Sequence, residues 1–465
     1  MRERALRLGP LVLVALAFAI PVQFPGCGQT SHVVLTRSLA DGTPRIDRLH
    51  WQTCDKSWYH EHFFAAKAPG VAFVSLPLWL ALYHAGLVWN SDEGSVIPPS
   101  TVWPLAFLTA VLPAFALLLL LRAFGERIQP GTGTITAVAG GLGTLLLPYA
   151  TLYGAQIPST LLGAAAFACL TLRRSPLLAG LFAGLAVTFD YPLALLAVLL
   201  AGFVAFTAAD RLRELVMYAA GGLAGLLPLL AFNAWAFGNP LHQTYEDAVL
   251  SQGSSGHDVV GANSGGFYGI DVPKPHAFLD LLFSNRGLFV ETPVVALGVA
   301  MCLLPRAGRT ARFGALVFLA FLLYDAGYYL PFGGDVPGPR LLIPALPFVL
   351  VPLATAFRRI PVTALLLTAV SAASMVIATA TRPMIGLELQ TSVWFSDLAE
   401  NHFARTIFNA HGSGSTIAAM SPFFVLIVAG AAWAVVQLRP RLRRRDAALA
   451  FGALAVWAVV ASLAG

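Results

Sequence analysis

Apolar residues run through this chain in blocks of roughly 14 to 20, broken by arginine clusters or by Pro, Gly and Asn turns. Blocks of that length and continuity predict helices that are buried on every side, not amphipathic surface helices or alternating strands. Helices are expected from Leu8 to near Phe24 and near 100–122, 132–152, 157–172, 176–189, 191–208 and 215–236. More follow near 292–305, 313–330, 340–357, 361–380, 421–438 and 447–463. Many blocks fall short of the ~20 residues that cross a ~30 Å hydrocarbon core. The pattern therefore describes shortish helices packed on one another, with Gly and Ala allowing close approach.

Composition makes the bilayer the solvent. Apolar residues are 57% of 465 positions and charged residues only 11%, against roughly a quarter in soluble proteins. The expectation is an all-α polytopic membrane protein of about thirteen transmembrane helices, read as one domain over 1–465. The net charge of +6 does not point to nucleic acid, because its distribution follows the membrane. Arg2, Arg4, Arg7, Arg122, Arg127, Arg173, Arg174, Arg211, Arg213, Arg306, Arg309, Arg312, Arg358, Arg359 and the run from Arg439 to Arg445 all abut apolar blocks. Placed together on the cytoplasmic side they satisfy the positive-inside rule. Parity then puts the N-terminus inside and the C-terminus outside, and the apolar stretch 71–89 becomes a non-spanning juxtamembrane element. The outer loops are 25–69, 238–291 and 381–420. All three lysines, Lys56, Lys67 and Lys274, fall outside with most of the acids.

The basic start followed by an apolar run also fits a signal peptide. Without a small-x-small cleavage pattern, a retained first helix is the expectation. Cys169 and Cys302 sit in apolar helices as packing residues. Cys27 and Cys54 share the first outer loop, where an oxidising envelope compartment favours a disulfide between them. Two unrelated small residues is the alternative reading.

Chemistry concentrates in that loop, which reads Asp41-Gly-Thr-Pro-Arg-Ile-Asp47 and then Cys54-Asp55-Lys56-Ser57-Trp58-Tyr59-His60-Glu61-His62, closing on Lys67-Ala68-Pro69-Gly70. Acids beside a membrane activate an acceptor hydroxyl, bind a metal, or are simply solvated. His60, Glu61 and His62 are too crowded for a zinc site. The second long loop carries His242, Tyr245, Glu246, His257, Asp258, Tyr268 and Asp271, and its Gly/Ser/Asn-rich stretch 251–266 is a candidate lid or a solvated linker. Gly141 to Thr144 lies within an apolar block and is not a nucleotide loop. No Walker motif or Rossmann glycine pattern is present, which disfavours ATP-driven transport and a cytosolic nucleotide-sugar donor.

Several of these elements resemble the GT-C superfamily of polyprenyl-phosphate-sugar glycosyltransferases, which includes protein O-mannosyltransferases and aminoarabinose transferases. Lys67 to Gly70 is similar to the Lys-Pro-Pro element that closes their first outer loop. Ile46-Asp47, Asp55-Lys56, Tyr59 and His62 match positions of a related bacterial loop. Pro148 to Tyr153, followed by Gln156, resembles the outer turn that carries a further polar residue. Asp190-Tyr191-Pro192, Phe237-Gly-Asn-Pro240, Leu282 to Leu288 and Gly333-Gly334-Asp335 with Gly338-Pro339-Arg340 also find counterparts. The resemblance touches most of 1–350. It departs at Gly26 to Ser31, where many relatives carry an acid and this chain has none. A Cys27–Cys54 bond would bring Asp55 to that place.

The resemblance implies a GT-C-like bundle with juxtamembrane helices and an inverting transfer of sugar from a polyprenyl-phosphate donor to a glycan, lipid or protein acceptor. The reaction would take place on the outer face of a bacterial cytoplasmic membrane. It implies Asp55, then Asp47, as base. Lys67, Arg340 and Arg286 become phosphate partners, and His62, Tyr59, Gln156 and Asp335 substrate contacts. Arg340 as a headgroup anchor and Lys67 as a snorkelling lysine are the plainer readings. No metal ligands are assigned, and a divalent requirement stays open. The competing functions are a flippase for lipid-linked glycans, whose charges would line a path through the bundle, and an inactive scaffold.

Overall fold

The structure is a computed structural model that describes residues 2–23, 26–88, 97–249, 266–386, 391–410, 416–440 and 443–464. Among the described residues each apolar block of the sequence is mainly helical. Among the described residues strand is confined to five short segments: β1 (Pro21–Val22), β2 (Lys56–Tyr59), β3 (His62–Ala65), β4 (Ala248–Val249) and β5 (Arg405–Thr406). The chain divides into two compact units. One comprises Met1–Val22, Val111–Thr151 and Pro273–Gly465; the other comprises Gln23–Ala110 and Leu152–Val272.

Six helices among the described residues are long and apolar enough to cross a membrane: Pro99–Ile128, Arg211–Phe237, Arg309–Gly327, Pro361–Ala380, Ile417–Leu438 and Arg444–Ala464. Two pairs add to these if each counts as one broken span, Pro275–Glu291 with Pro293–Leu303 (bent by 101°) and Arg340–Leu350 with Leu353–Arg359 (50°). Six to eight is fewer than the thirteen expected from apolar blocks. The difference lies in helices such as Leu8–Phe18, Pro176–Phe189 and Leu193–Thr207, which are apolar but short. The expected helix over 132–152 breaks at Gly143 into Gly133–Leu142 and Leu146–Ala150.

In the first unit, the Arg2–Phe18 helix lies so close to Ile417–Leu438 that a Cβ on Gly9 would fall 2.2 Å from the Trp433 ring. β1 pairs antiparallel with β5, joining the residues that follow the first of these helices to those that precede the second. Asp446, 4% exposed, accepts hydrogen bonds from Val362 N (2.8 Å) and Thr363 N (3.1 Å) at the start of Pro361–Ala380. A carboxylate there satisfies orphan amides and complements the helix dipole.

In the second unit, Pro176–Phe189 and Arg211–Phe237 meet backbone to backbone. A Cβ on Gly180 would sit 1.9 Å from Tyr218 O, and one on Gly221 would sit 2.0 Å from Leu177 O. Thr188 Oγ1 donates across the pair to Gly225 O at 3.1 Å. Small residues at these turns are what allow the approach. Residues 27–40, expected as loop, form the helix Cys27–Ala40, whose buried positions include Gln29, Ser31, His32, Thr36, Arg37 and Ser38. Polar residues on the buried face hide it from a hydropathy reading.

Candidate active centre

Residues 27–65 form a helix followed by a hairpin, and a disulfide joins their starts. Cys27, at the head of the Cys27–Ala40 helix, is bonded to Cys54 with the Cα atoms 5.4 Å apart. Thr53 Oγ1 donates to Cys27 O (2.9 Å), Asp55 N donates to Thr53 Oγ1 (3.1 Å), and Ser31 Oγ donates to Asp55 O (2.7 Å). Asp55 is thereby fixed over the first turn of that helix.

β2 and β3 form the hairpin through a two-residue turn, His60 and Glu61, both with positive φ (47° and 64°). That geometry matches strand twist and normally calls for Asn-Gly. Antiparallel pairing with β4 adds a third strand, in the order β3-β2-β4, with Lys56 opposite Val249 and Ser57 opposite Ala248. Alternation along β2 sends Trp58 outward and Tyr59 inward, where it packs on Phe237 (5.5 Å) and His242 (4.6 Å). On the outward side His50 stacks flat on Phe63 at 4.0 Å. Its Nδ1 lies 3.3 Å from Lys56 Nζ, which donates to His50 O at 3.0 Å. Burial lowers the basicity of both groups, and the Lys56 charge lowers His50 further.

The two candidate bases part company here. Asp55 is 5% exposed, and its Oδ2 lies 2.5 Å from the Lys67 ammonium. Lys67 also donates to the Tyr245 hydroxyl at 2.6 Å. The Asp47 side chain is 42% exposed and serves the hairpin, with Oδ1 accepting from Phe63 N (2.7 Å) and Oδ2 facing His62 Nδ1 (2.8 Å). Asp47 and His62 are thus brought together away from the Asp55–Lys67 pair, as a hairpin clasp. Gln156, half-buried, opens the helix Gln156–Ala168, with its Oε1 against Gly154.

Beneath Asp55 runs a buried polar stripe. Tyr153 Oη meets Ser75 Oγ (3.0 Å) and Thr36 Oγ1 (3.4 Å), and the Tyr153 ring stands edge-on to His32. Burial pushes the Tyr153 hydroxyl up to about 12. In the second loop His242 is flanked by Asp247 (2.8 Å) and Glu246 (3.4 Å). The candidates His257 and Asp258, and nearly all of the stretch 251–266, lie outside the described residues.

The remaining predicted site residues belong to the first unit. Arg286 donates to the carbonyls of Gly386 (3.2 Å), Ile385 (3.3 Å) and Val336, and stacks over Phe332. Its guanidinium therefore ties two loop segments together. Arg340 opens the turn Arg340–Ala345 and lies across Gly333, whose positive φ (82°) and missing side chain leave room for it. Asp335 is exposed nearby in sequence, close to Gly386. Asp325 (0% exposed) and Glu291 (7%) are buried acids to which the sequence reading gave no role. Glu291 accepts from the Ser374 hydroxyl. Among the described residues no group of three or more His, Cys, Asp or Glu is arranged to hold a metal ion.

No family model and no curated protein sequence matches the chain. Solved structures do. ArnT from Cupriavidus metallidurans bound to undecaprenyl phosphate superposes with a TM-score of 0.50 at 11% identity, over 92% of this chain and 75% of its own. The fold is GT-C. ArnT from the same organism in the apo state gives 0.50 at 12% identity, covering 92% and 74%. The oligosaccharyltransferase of Archaeoglobus fulgidus gives 0.47 at 14% identity, over 93% of this chain and 56% of its own. On the GT-C fold of this chain, the Asp55–Lys67 pair stands at the head of the helix Cys27–Ala40.

Proposed function

We propose that the protein transfers a sugar, with inversion, from a polyprenyl-phosphate donor to a hydroxyl-bearing glycan, lipid or protein acceptor on the outer face of a bacterial cytoplasmic membrane. The observation that carries this is a buried carboxylate and a lysine 2.5 Å apart, clamped by a disulfide on a GT-C fold. The likeness to a structure holding undecaprenyl phosphate supports a lipid-linked donor. The arginine distribution supports the outer face.

In this reaction the acceptor oxygen attacks the anomeric carbon from the face opposite the phosphate. The bond from that carbon to the phosphate oxygen breaks, and its electron pair leaves with the polyprenyl phosphate. Asp55 takes the acceptor proton, and Lys67 meets the charge that develops on the phosphate. General-base removal of a proton contributes about 10²–10⁴ in rate, and a preorganised cation in a water-poor site adds electrostatic stabilisation. Lys67 suits this task as a compact charge with three donors, which can face the incoming phosphate oxygen while it keeps the Asp55 carboxylate.

The test is release of polyprenyl phosphate from a panel of radiolabelled polyprenyl-phosphate sugars by the purified protein with membrane-extract acceptors. Asp55→Asn should lower turnover by roughly 10²-fold or more, while Asp47→Asn should leave most of it. The reading is lost if the wild-type protein releases polyprenyl phosphate from none of the donors, or if Asp55→Asn keeps the wild-type rate.

A further inference from the structure

We propose that Tyr245 is the positioning residue that holds the Lys67 ammonium in place, so that the second outer loop sets the geometry of a centre built by the first. The inference rests on the glycosyl-transfer reading above.

A lysine ammonium has three donors on a flexible stem of four carbons. One anchor would leave it free to swing, and ordering such a side chain carries an appreciable entropy cost. Lys67 has two anchors in different directions: Asp55 Oδ2 at 2.5 Å and the Tyr245 hydroxyl at 2.6 Å. The Tyr245 ring lies 5.2 Å from Nζ and adds a cation–π attraction. With two N–H groups engaged in this way, the third is the one left to meet a phosphate oxygen.

Tyr245 is itself held. It sits in the turn Thr244–Asp247, where the side chains and backbones of Gln243 and Glu246 cap each other reciprocally. Tyr268 Oη donates to Glu246 Oε1 at 3.0 Å. The Tyr191 ring stands edge-on to Tyr245 at 5.8 Å, and Tyr191 Oη lies 3.5 Å from Thr244 Oγ1. The residues that follow the turn are β4, paired in register with β2, whose first residue Lys56 directly follows Asp55. The second loop thus grips both ends of the Asp55–Lys67 pair, one through backbone pairing and the other through a phenol.

Tyr245→Phe removes the hydroxyl and keeps the ring, so packing on Tyr191 survives. In the donor assay its kcat should fall between about 10- and 100-fold, as expected for losing a hydrogen bond to a charged group. KM for the donor should stay within a factor of about two, because the loss is felt as charge develops on the phosphate. A second readout needs no turnover. The chain has only three lysines, so competitive acetylation followed by mass spectrometry reports each amine separately. Lys67 should label several-fold faster in Tyr245→Phe than in wild type, with exposed Lys274 unchanged as the internal standard. An unchanged Lys67 labelling rate, or a wild-type kcat in the variant, overturns the proposal. A wild-type protein that turns over no donor would remove the glycosyl-transfer reading, and the labelling rate alone would then decide the role of Tyr245.

Discussion

Replacing Lys67 by Met keeps the length of the stem and removes the charge, which leaves Asp55 buried without its cation. The side chains are 15% and 5% exposed respectively, so water cannot readily compensate. Removing one partner of a buried ion pair costs roughly 3–5 kcal/mol. In a cooperative unit of this size that corresponds to a fall of roughly 6–20 °C in Tm, taking 2–4 °C per kcal/mol. Asp55→Asn should cost much less, because Lys67 is the more exposed partner and keeps the Tyr245 hydroxyl as an acceptor at 2.6 Å. The double variant should recover part of what Lys67→Met loses, since no uncompensated charge remains. Thermal unfolding of the four proteins in one detergent makes the comparison. An Asp55→Asn variant whose Tm falls as far as that of Lys67→Met, or a double variant no more stable than Lys67→Met, would refute the asymmetry of the pair.

Three further outcomes follow from the same structure. Breaking the Cys27–Cys54 bond by the double Ser substitution frees a loop with a sequence separation of 27, worth about 3–4 kcal/mol in chain entropy. Amide exchange over residues 53–59 should accelerate, yet activity should fall less than in Asp55→Asn, because the Thr53 and Ser31 hydrogen bonds still hold Asp55. Gly221→Leu drives a side chain into the Leu177 carbonyl and should cost more than ~3 kcal/mol or prevent accumulation, whereas Gly202→Leu, with open space around it, should express normally. The third outcome concerns pH. Since the folded protein lowers the basicity of His50, the unfolded chain binds more protons, and stability falls as pH drops through about 6.5. Thermal unfolding between pH 8 and 5 should show that loss, and Lys56→Met should reduce it by removing the neighbouring charge; an unaltered slope would contradict the assignment.

The sequence was most informative where one physical term dominated. The apolar blocks 176–189 and 361–380 are helices with those same boundaries, because burial in lipid leaves a backbone little alternative to internal hydrogen bonding. The pairing of Cys27 with Cys54 was also visible, since only two cysteines share that loop. Less could be read where polar groups are buried together. The helix Cys27–Ala40 gave no apolar period, because Gln29, His32 and Thr36 line its inner side. Asp47 and Asp55 look alike as residues, and only tertiary contacts make one a hairpin clasp and the other a lysine partner. Arg286 and Arg340 both end loops, but the carbonyls facing Arg286 come from residues 50 and about 100 positions later. Whether an apolar block is long enough to span also depends on breaks such as Gly143 and on the 101° bend between Glu291 and Pro293, which hydropathy does not register.

The third strand of the hairpin sheet bears on how the protein is made. Asp55, Lys67 and the disulfide lie within the first 70 residues, whereas Tyr245 and β4 come far later, with 178 positions separating Lys67 from Tyr245. At ordinary synthesis rates of about 5–20 residues per second, the early half waits roughly 10–35 s for its completing strand. The turn through His60 and Glu61 lacks the glycine that would favour it locally, so the hairpin is poorly specified on its own during that wait. Oxidation of Cys27 and Cys54 on the nascent chain would hold the ends of the segment together in that interval. On this view the disulfide acts first as an assembly clamp, keeping a half-built centre in register until the second loop arrives.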